Sequence, residues 1–165
     1  MKTADQALLK MIEYFGADTR RINHALKVYG FAKAIASGGG VVDVKALEII
    51  ELSAILHDIG IHEAERKYQS SAGKHQEIEG PAIAAVILGA LGVSAETAER
   101  VCFLVGHHHT YGKIDGLDFQ ILVEADFLVN IFEDELAAPQ IKAIRDKYFK
   151  TSTGEKLLEG MYGCV

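Results

Sequence analysis

Two adjacent side chains, those of His57 and Asp58, stand at the end of an apolar run that is typical of a buried helix. The run, LSAIL over 52–56, places no other ionisable side chain beside them. Burying an imidazole and a carboxylate without partners is unfavourable. A divalent metal ion would satisfy both side chains at once, so the pair is a candidate metal-binding motif.

Helical periodicity directs further ionisable side chains toward the same core. His24, His108 and Asp126 each lie at helical spacing from apolar residues of their own predicted helix. With His57, four ionisable side chains on four predicted helices point inward. Their convergence on a metal ion would remove the cost of burying each of them. The apolar neighbours are Val28, Phe31, Ala32 and Ile35 for His24, Val101, Leu104 and Val105 for His108, and Phe119, Leu122, Val123 and Val129 for Asp126.

The elements that must position these residues are helices. Apolar residues recur with the helical period, and no alternating strand pattern of useful length occurs. We therefore predict an all-α fold, a compact single-domain helical bundle over 1–165. Residues 67–74 are predicted to form an irregular loop and a candidate substrate lid. The predicted helices cover about 3–15, 18–37, 44–57, 61–66, 75–91, 94–107, 118–132, 139–149 and 154–161.

Composition restricts the classes of partner. The 165 residues suit one domain, and the net charge of −6 argues against a protein that coats nucleic acid or an anionic membrane. A small phosphorylated substrate is compatible with that charge. The longest uncharged run, 81–95, is too short and glycine-rich to span a bilayer, and the charged N-terminal residues do not resemble a signal peptide. We expect a cytoplasmic protein, and its oligomeric state is left open.

The ordered set His24, His57-Asp58 and Asp126 resembles the HD-domain superfamily of metal-dependent phosphohydrolases. The matching segments are RINHALKV (21–28), AILHDIG (54–60) and EADFL (124–128), and the resemblance covers about 18–132, with C-terminal helices over 133–165. It implies an HD-type helical domain in which these four side chains bind a divalent metal ion. It also implies hydrolysis of a phosphate ester by metal-activated water, with His57 and Asp58 as catalytic residues.

Some branches of this superfamily bind two ions, through additional histidines between the HD pair and the final aspartate. The candidates here are His75, His108 and His109, and the register of the triple histidine 107–109 is left open. Asp58 is the natural bridging ligand because a carboxylate has two oxygens, whereas each imidazole offers one nitrogen. The resemblance therefore implies one or two ions of Mn, Fe, Mg, Co, Ni or Zn.

The substrate class is narrowed by departures from one branch. The HD-GYP cyclic-dinucleotide phosphodiesterases have a lysine where Ile61 stands, and the GYP tripeptide is missing after Asp115. We predict a nucleotide or another small phosphorylated metabolite as substrate. The candidate cations for its phosphate group are Arg21, Lys74 and Lys113.

Three alternatives remain open at the level of the sequence. A di-iron HD-type oxygenase would use the same ligands on a carbon substrate. A non-catalytic regulatory module would retain metal without turnover. A binding protein would use the histidines as ordinary hydrogen-bonded core residues.

Overall fold

Helices α1–α9 provide the regular structure of residues 2–163, which are the residues that the computed structural model describes. No strand occurs in that range, so the predicted all-α class is confirmed. None of the helices within it is both long and apolar enough to cross a membrane. The helices are α1 (Thr3–Phe15), α2 (Thr19–Gly38), α3 (Val44–Leu56), α4 (Ile61–Tyr68), α5 (Gly73–Ala90), α6 (Ala95–Val105), α7 (Leu117–Glu133), α8 (Ala138–Tyr148) and α9 (Ser152–Tyr162), with a 3₁₀ turn at Tyr111–Lys113.

Helix α3 lies at the centre of the bundle, packed against α1, α2, α6 and α7. Buried residues cover every face of its C-terminal half, from Ile49 to Leu56. A helix that is apolar all round needs neighbours on all sides. The chain that leaves the end of α3 therefore stays within the bundle, which buries His57 and leaves Asp58 partly exposed.

A close backbone contact brings the start of α4 against α5. A Cβ atom added to Gly60 would lie 2.6 Å from the carbonyl oxygen of Gln76 and 2.6 Å from the backbone nitrogen of Gly80. Only glycine permits this approach, because the clashing atoms belong to the backbone and cannot rotate away. The contact sets the first turns of α5 beside the His57-Asp58 pair.

The connection between α4 and α5 is shorter than the predicted loop 67–74. Helix α4 continues to Tyr68 and ends where Gln69 adopts a left-handed conformation with φ of 51°, and α5 begins at Gly73. The Tyr68 ring stacks on His75 with the ring centroids 4.2 Å apart, and the Tyr68 hydroxyl donates to Glu79 at 2.8 Å. These contacts hold the end of α4 on α5 and leave 69–72 as the irregular segment.

The C-terminal helices are attached to α7 through one buried carboxylate. Glu124 is fully buried and accepts hydrogen bonds from the backbone N–H groups of Lys150 and Thr151, at 2.7 and 2.9 Å, and from the Thr151 hydroxyl. Gln120, one turn earlier on α7, donates to the same carboxylate at 2.8 Å. The chain between α8 and α9 is thus fixed to the helix that carries Asp126.

Candidate metal centre

Three helices bring four of the predicted ligands to one point. His24 is on α2, His57 and Asp58 follow the end of α3, and Asp126 is on α7. The Nε2 atom of His24 lies 3.1 Å from Nε2 of His57, 3.2 Å from Oδ1 of Asp126 and 3.5 Å from Oδ2 of Asp58. The two histidines and Asp126 are buried, and Asp58 is partly exposed. We refer to these four side chains as the first cluster.

Hydrogen bonds on the far side of each ring fix which nitrogen faces the first cluster. The Nδ1–H of His57 donates to the carbonyl oxygen of Ala54 at 2.9 Å, and Nδ1 of His24 is 3.0 Å from Oε2 of Glu133. Since Nδ1 is the donor, the lone pair of Nε2 in each neutral ring points into the cluster. Two acceptor nitrogens 3.1 Å apart repel one another unless a proton or a metal ion lies between them.

A second group of ligands shares Asp58 with the first. Oδ1 of Asp58 lies 3.3 Å from Nε2 of His108, whereas Oδ2 faces the first cluster. A carboxylate oxygen of Asp58 and one ring nitrogen from each of His108 and His109 lie within 4.8 Å of one another. The Nε2 atoms of both histidines are buried without a hydrogen-bond partner. We call these three residues the second cluster. A divalent cation would satisfy the unpaired ligand atoms of this cluster.

The structure resolves the register of the triple histidine. His107 turns away from both clusters, since its Nδ1–H donates to the Phe103 carbonyl oxygen at 2.7 Å and its ring packs on Phe103 with centroids 4.4 Å apart. His108 is held by donation from its Nδ1–H to the Val105 carbonyl oxygen at 2.9 Å. The close approach of Gly73, where a Cβ atom would lie 2.4 Å from the His109 ring, holds His109 against the first turn of α5.

His75, which the sequence analysis also proposed as a ligand, lies outside both clusters. Its ring stacks on Tyr68, and its buried Nδ1 has no hydrogen-bond partner. Its neighbour Gln76 is buried and donates from Nε2 to the Ser71 carbonyl oxygen at 2.7 Å, which leaves Oε1 without a partner at the edge of the site. Sequence reasoning missed Gln76, although its helical spacing to the buried Gly80 and Ala84 would have indicated it.

Two further residues on α7 support the first cluster. Asn130 donates from Nδ2 to Oδ1 of Asp126 at 2.9 Å, and Glu133 contacts His24. They follow Asp126 by four and seven residues, so one face of α7 carries all three side chains. The helical phase that selected Asp126 would also have identified this pair.

A cavity of about 340 Å³ opens onto the metal-ligand candidates. Arg21 borders it, held by ion pairs with Asp18 and, at 2.5 Å, with Glu65, while its buried Nε has no partner. Lys74 and Lys113 are exposed and are not among the residues along this cavity. The cavity is lined by Arg20, Arg21, His24, Asp58, Ile61, Ser71, Gln76, His109, Asp126, Asn130, Glu133 and Asp134.

The carboxylates and burial have opposite effects on the imidazoles. Burial alone would lower the pKa of His24, but Asp126, Asp58 and Glu133 outweigh it and raise that pKa to about 9. Burial lowers the pKa of His57, which is therefore neutral at pH 7. Burial would raise the pKa of Asp58, but His57, His108 and His24 outweigh burial and keep that pKa below its usual range.

The second cluster repeats this pattern. Burial lowers the pKa of His109 to about 4, whereas the contact with Asp58 outweighs burial and raises the pKa of His108. Each cluster thus pairs one imidazole that is neutral at pH 7 with one that holds a proton more tightly than usual. A cation that replaces that proton would bind the same lone pairs. The imidazole nitrogens and carboxylate oxygens of both clusters therefore fit divalent metal ions that accept such ligands.

Comparison with known proteins agrees with this arrangement. The model of the HD domain matches residues 21–146, a range that runs past the resemblance over 18–132 and into α8. The fold is similar to the crystal structure of a predicted HD superfamily hydrolase from an uncultured Thermotogales bacterium, with 27% sequence identity and a TM-score of 0.64 over 96% of this chain and 84% of that chain. No curated protein matches the chain. Because the family model covers well over half of the sequence, the chain belongs to the HD-domain family of metal-dependent phosphohydrolases.

Proposed function

We propose that the protein hydrolyses a phosphate ester of a small metabolite, with nucleotides as the expected substrate class, and that it uses one or two divalent metal ions. The observation that carries this proposal is the convergence of Nε2 of His24, Nε2 of His57 and the carboxylates of Asp58 and Asp126. In the metal-free protein a proton on His24 supplies positive charge among these groups, and a divalent ion would replace that proton with the same nitrogens and carboxylates as ligands.

Asp58 is the central residue of the proposed site. Its Oδ2 faces the first cluster and its Oδ1 faces His108, so one carboxylate contacts both sets of imidazoles. This arrangement supports the proposed bridging role. Asp58 and His57 would act in catalysis as metal ligands. The Ala54 carbonyl oxygen fixes the orientation of the His57 ring.

A bound divalent ion supplies an activated water near neutral pH and polarises a phosphoryl oxygen. The chain must then bind and orient the ester beside it. Arg21 supports this role, because it borders the cavity while Asp18 and Glu65 hold its guanidinium group in place and its buried Nε has no partner. Gln76 also borders this cavity, and its buried amide oxygen, which has no partner, is a candidate acceptor for a hydroxyl or amino group of the substrate. Substrate roles for Lys74 and Lys113 remain predictions.

The proposal is tested by measuring metal content and phosphate release together. The protein is loaded with Mn²⁺ and assayed for phosphate release from nucleoside monophosphates and for hydrolysis of bis(p-nitrophenyl) phosphate. We expect metal-dependent hydrolysis that Asp58→Ala abolishes together with metal binding. The matched control is Asp146→Ala, since Asp146 is an exposed aspartate on α8 that pairs with Lys142.

Two results would contradict the proposal. One is an Asp58→Ala variant that keeps full metal content and wild-type turnover. The other is wild-type protein that retains metal but hydrolyses no phosphate ester. Oxygen uptake by the iron-loaded protein, without phosphate release, would favour the oxygenase alternative instead.

A further inference from the structure

Glu133 lies behind His24, on the side of the ring that faces away from the first cluster. Its Oε2 is 3.0 Å from Nδ1 of His24, and its side chain is only 16% exposed. We infer that Glu133 is a positioning residue that fixes the ring orientation and tautomer of His24 and strengthens it as a metal ligand. This inference rests on the proposed metal-dependent function.

The contact distinguishes His24 from the other oriented imidazoles. His57 and His108 each donate their Nδ1–H to a backbone carbonyl oxygen, at 2.9 Å in both cases. Only His24, among these three, donates its Nδ1–H to a carboxylate. A hydrogen bond to an ionised acceptor is stronger than one to a neutral carbonyl, and it places more electron density on the nitrogen that faces the metal. His24 is therefore the imidazole that this chain prepares most strongly for a cation.

The position of Glu133 is fixed from two sides. Its second oxygen, Oε1, forms an ion pair with Lys27, which is one turn after His24 on α2. On its own helix, Glu133 follows Asp126 by seven residues, so both side chains lie on the face of α7 that packs against α2. One carboxylate thus links a surface lysine to a buried metal ligand.

The alternative is that Glu133 acts only as a clamp between α2 and α7, through its ion pair with Lys27. Two substitutions separate these roles. Glu133→Gln keeps the size of the side chain and an acceptor oxygen for Nδ1–H but removes the negative charge. Lys27→Met breaks the ion pair and leaves the contact between Glu133 and His24 intact.

The principal measurement is the Mn²⁺ dissociation constant, by equilibrium dialysis of the whole chain at several pH values and extrapolated to unprotonated His24, because Glu133 also raises the pKa of His24. We expect Glu133→Gln to raise it about 10-fold and Glu133→Ala up to about 100-fold, as for other residues that orient metal-bound histidines. Lys27→Met should leave it within about threefold. A second readout is the Nδ1 proton of His24 in the NMR spectrum of the Zn²⁺-loaded protein, which should move upfield in Glu133→Gln as its acceptor loses charge.

Two results would overturn the inference: an unchanged Mn²⁺ dissociation constant in folded Glu133→Gln, or an equal loss of affinity in Lys27→Met. The phosphate assay keeps this failure separate from failure of the proposed function. Wild-type protein that hydrolyses phosphate esters while Glu133→Gln binds Mn²⁺ normally would refute the inference alone. Wild-type protein that binds Mn²⁺ without hydrolysis, with weakened binding in Glu133→Gln, would refute the function alone.

Discussion

Metal binding to the first cluster should release about one proton near neutral pH. In the metal-free protein the pKa of His24 is about 9, so at pH 7 this imidazole is protonated, and the ion must displace that proton. His57 is neutral and Asp58 is ionised, so neither of them releases a proton when the ion binds. At pH 7, two units below this pKa, deprotonation costs about 3 kcal/mol, which corresponds to a loss of roughly 100-fold in metal affinity.

The sign of the pH dependence follows directly. Because the protonated state competes with the ion, the apparent affinity should rise by about tenfold for each pH unit between 6 and 8 and level off above pH 9. Calorimetry with Mn²⁺ in two buffers of different ionisation enthalpy counts the released protons. A flat affinity from pH 6 to 8, with no proton released, would refute the assignment of a raised pKa to His24 or its role as a ligand.

Two further substitutions test the second cluster and the attachment of the C-terminal helices. Gly73→Ala would place a Cβ atom 2.4 Å from the His109 ring, so we expect it to lower the metal affinity of the second cluster by tenfold or more. The control is Gly89→Ala on the same helix, which has open space around its Cβ and should leave metal titrations unchanged. Wild-type titrations for Gly73→Ala would contradict this. Glu124→Ala removes the acceptor of three hydrogen-bond donors between α8 and α9. It should lower the free energy of unfolding by about 3 kcal/mol, which corresponds to roughly 10 °C in the calorimetric melting temperature. A melting temperature within 2 °C of wild type would show that the contact is dispensable.

Helix phase determined how much of the site could be predicted from the sequence. It identified His24, His57, His108 and Asp126 as inward-facing, and all four are buried. Phase reports which side of one helix is apolar, but it does not report how closely two helices approach. Residues whose position depends on contacts between helices were therefore harder to place.

The uncertain positions illustrate this limit. His75 and Gln76 are adjacent, and the sequence analysis favoured the histidine for its chemistry, whereas helical spacing to the buried Gly80 and Ala84 places the glutamine on the inward face. The triple histidine follows the end of α6, where helical phase indicated that His108 faces inward but did not place His107 and His109; the structure places them through the Phe103 carbonyl, which accepts from His107, and through the approach of Gly73 to His109. Lys74 was proposed for its charge and position beside a loop, and charge alone does not define a cavity wall.

From the distribution of charge we expect the two clusters to differ in their affinity for a cation. The first contains two carboxylates, Asp58 and Asp126, and a third carboxylate, that of Glu133, lies behind His24. The second contains only the shared Asp58, and His108 is supported by a neutral backbone carbonyl. Removing a divalent ion from water requires compensating negative charge, so the first cluster should fill before the second. Once that ion is bound, Asp58 is partly neutralised, and the second position becomes weaker still. Whether the protein uses one ion or two is therefore a question of concentration as well as of ligands.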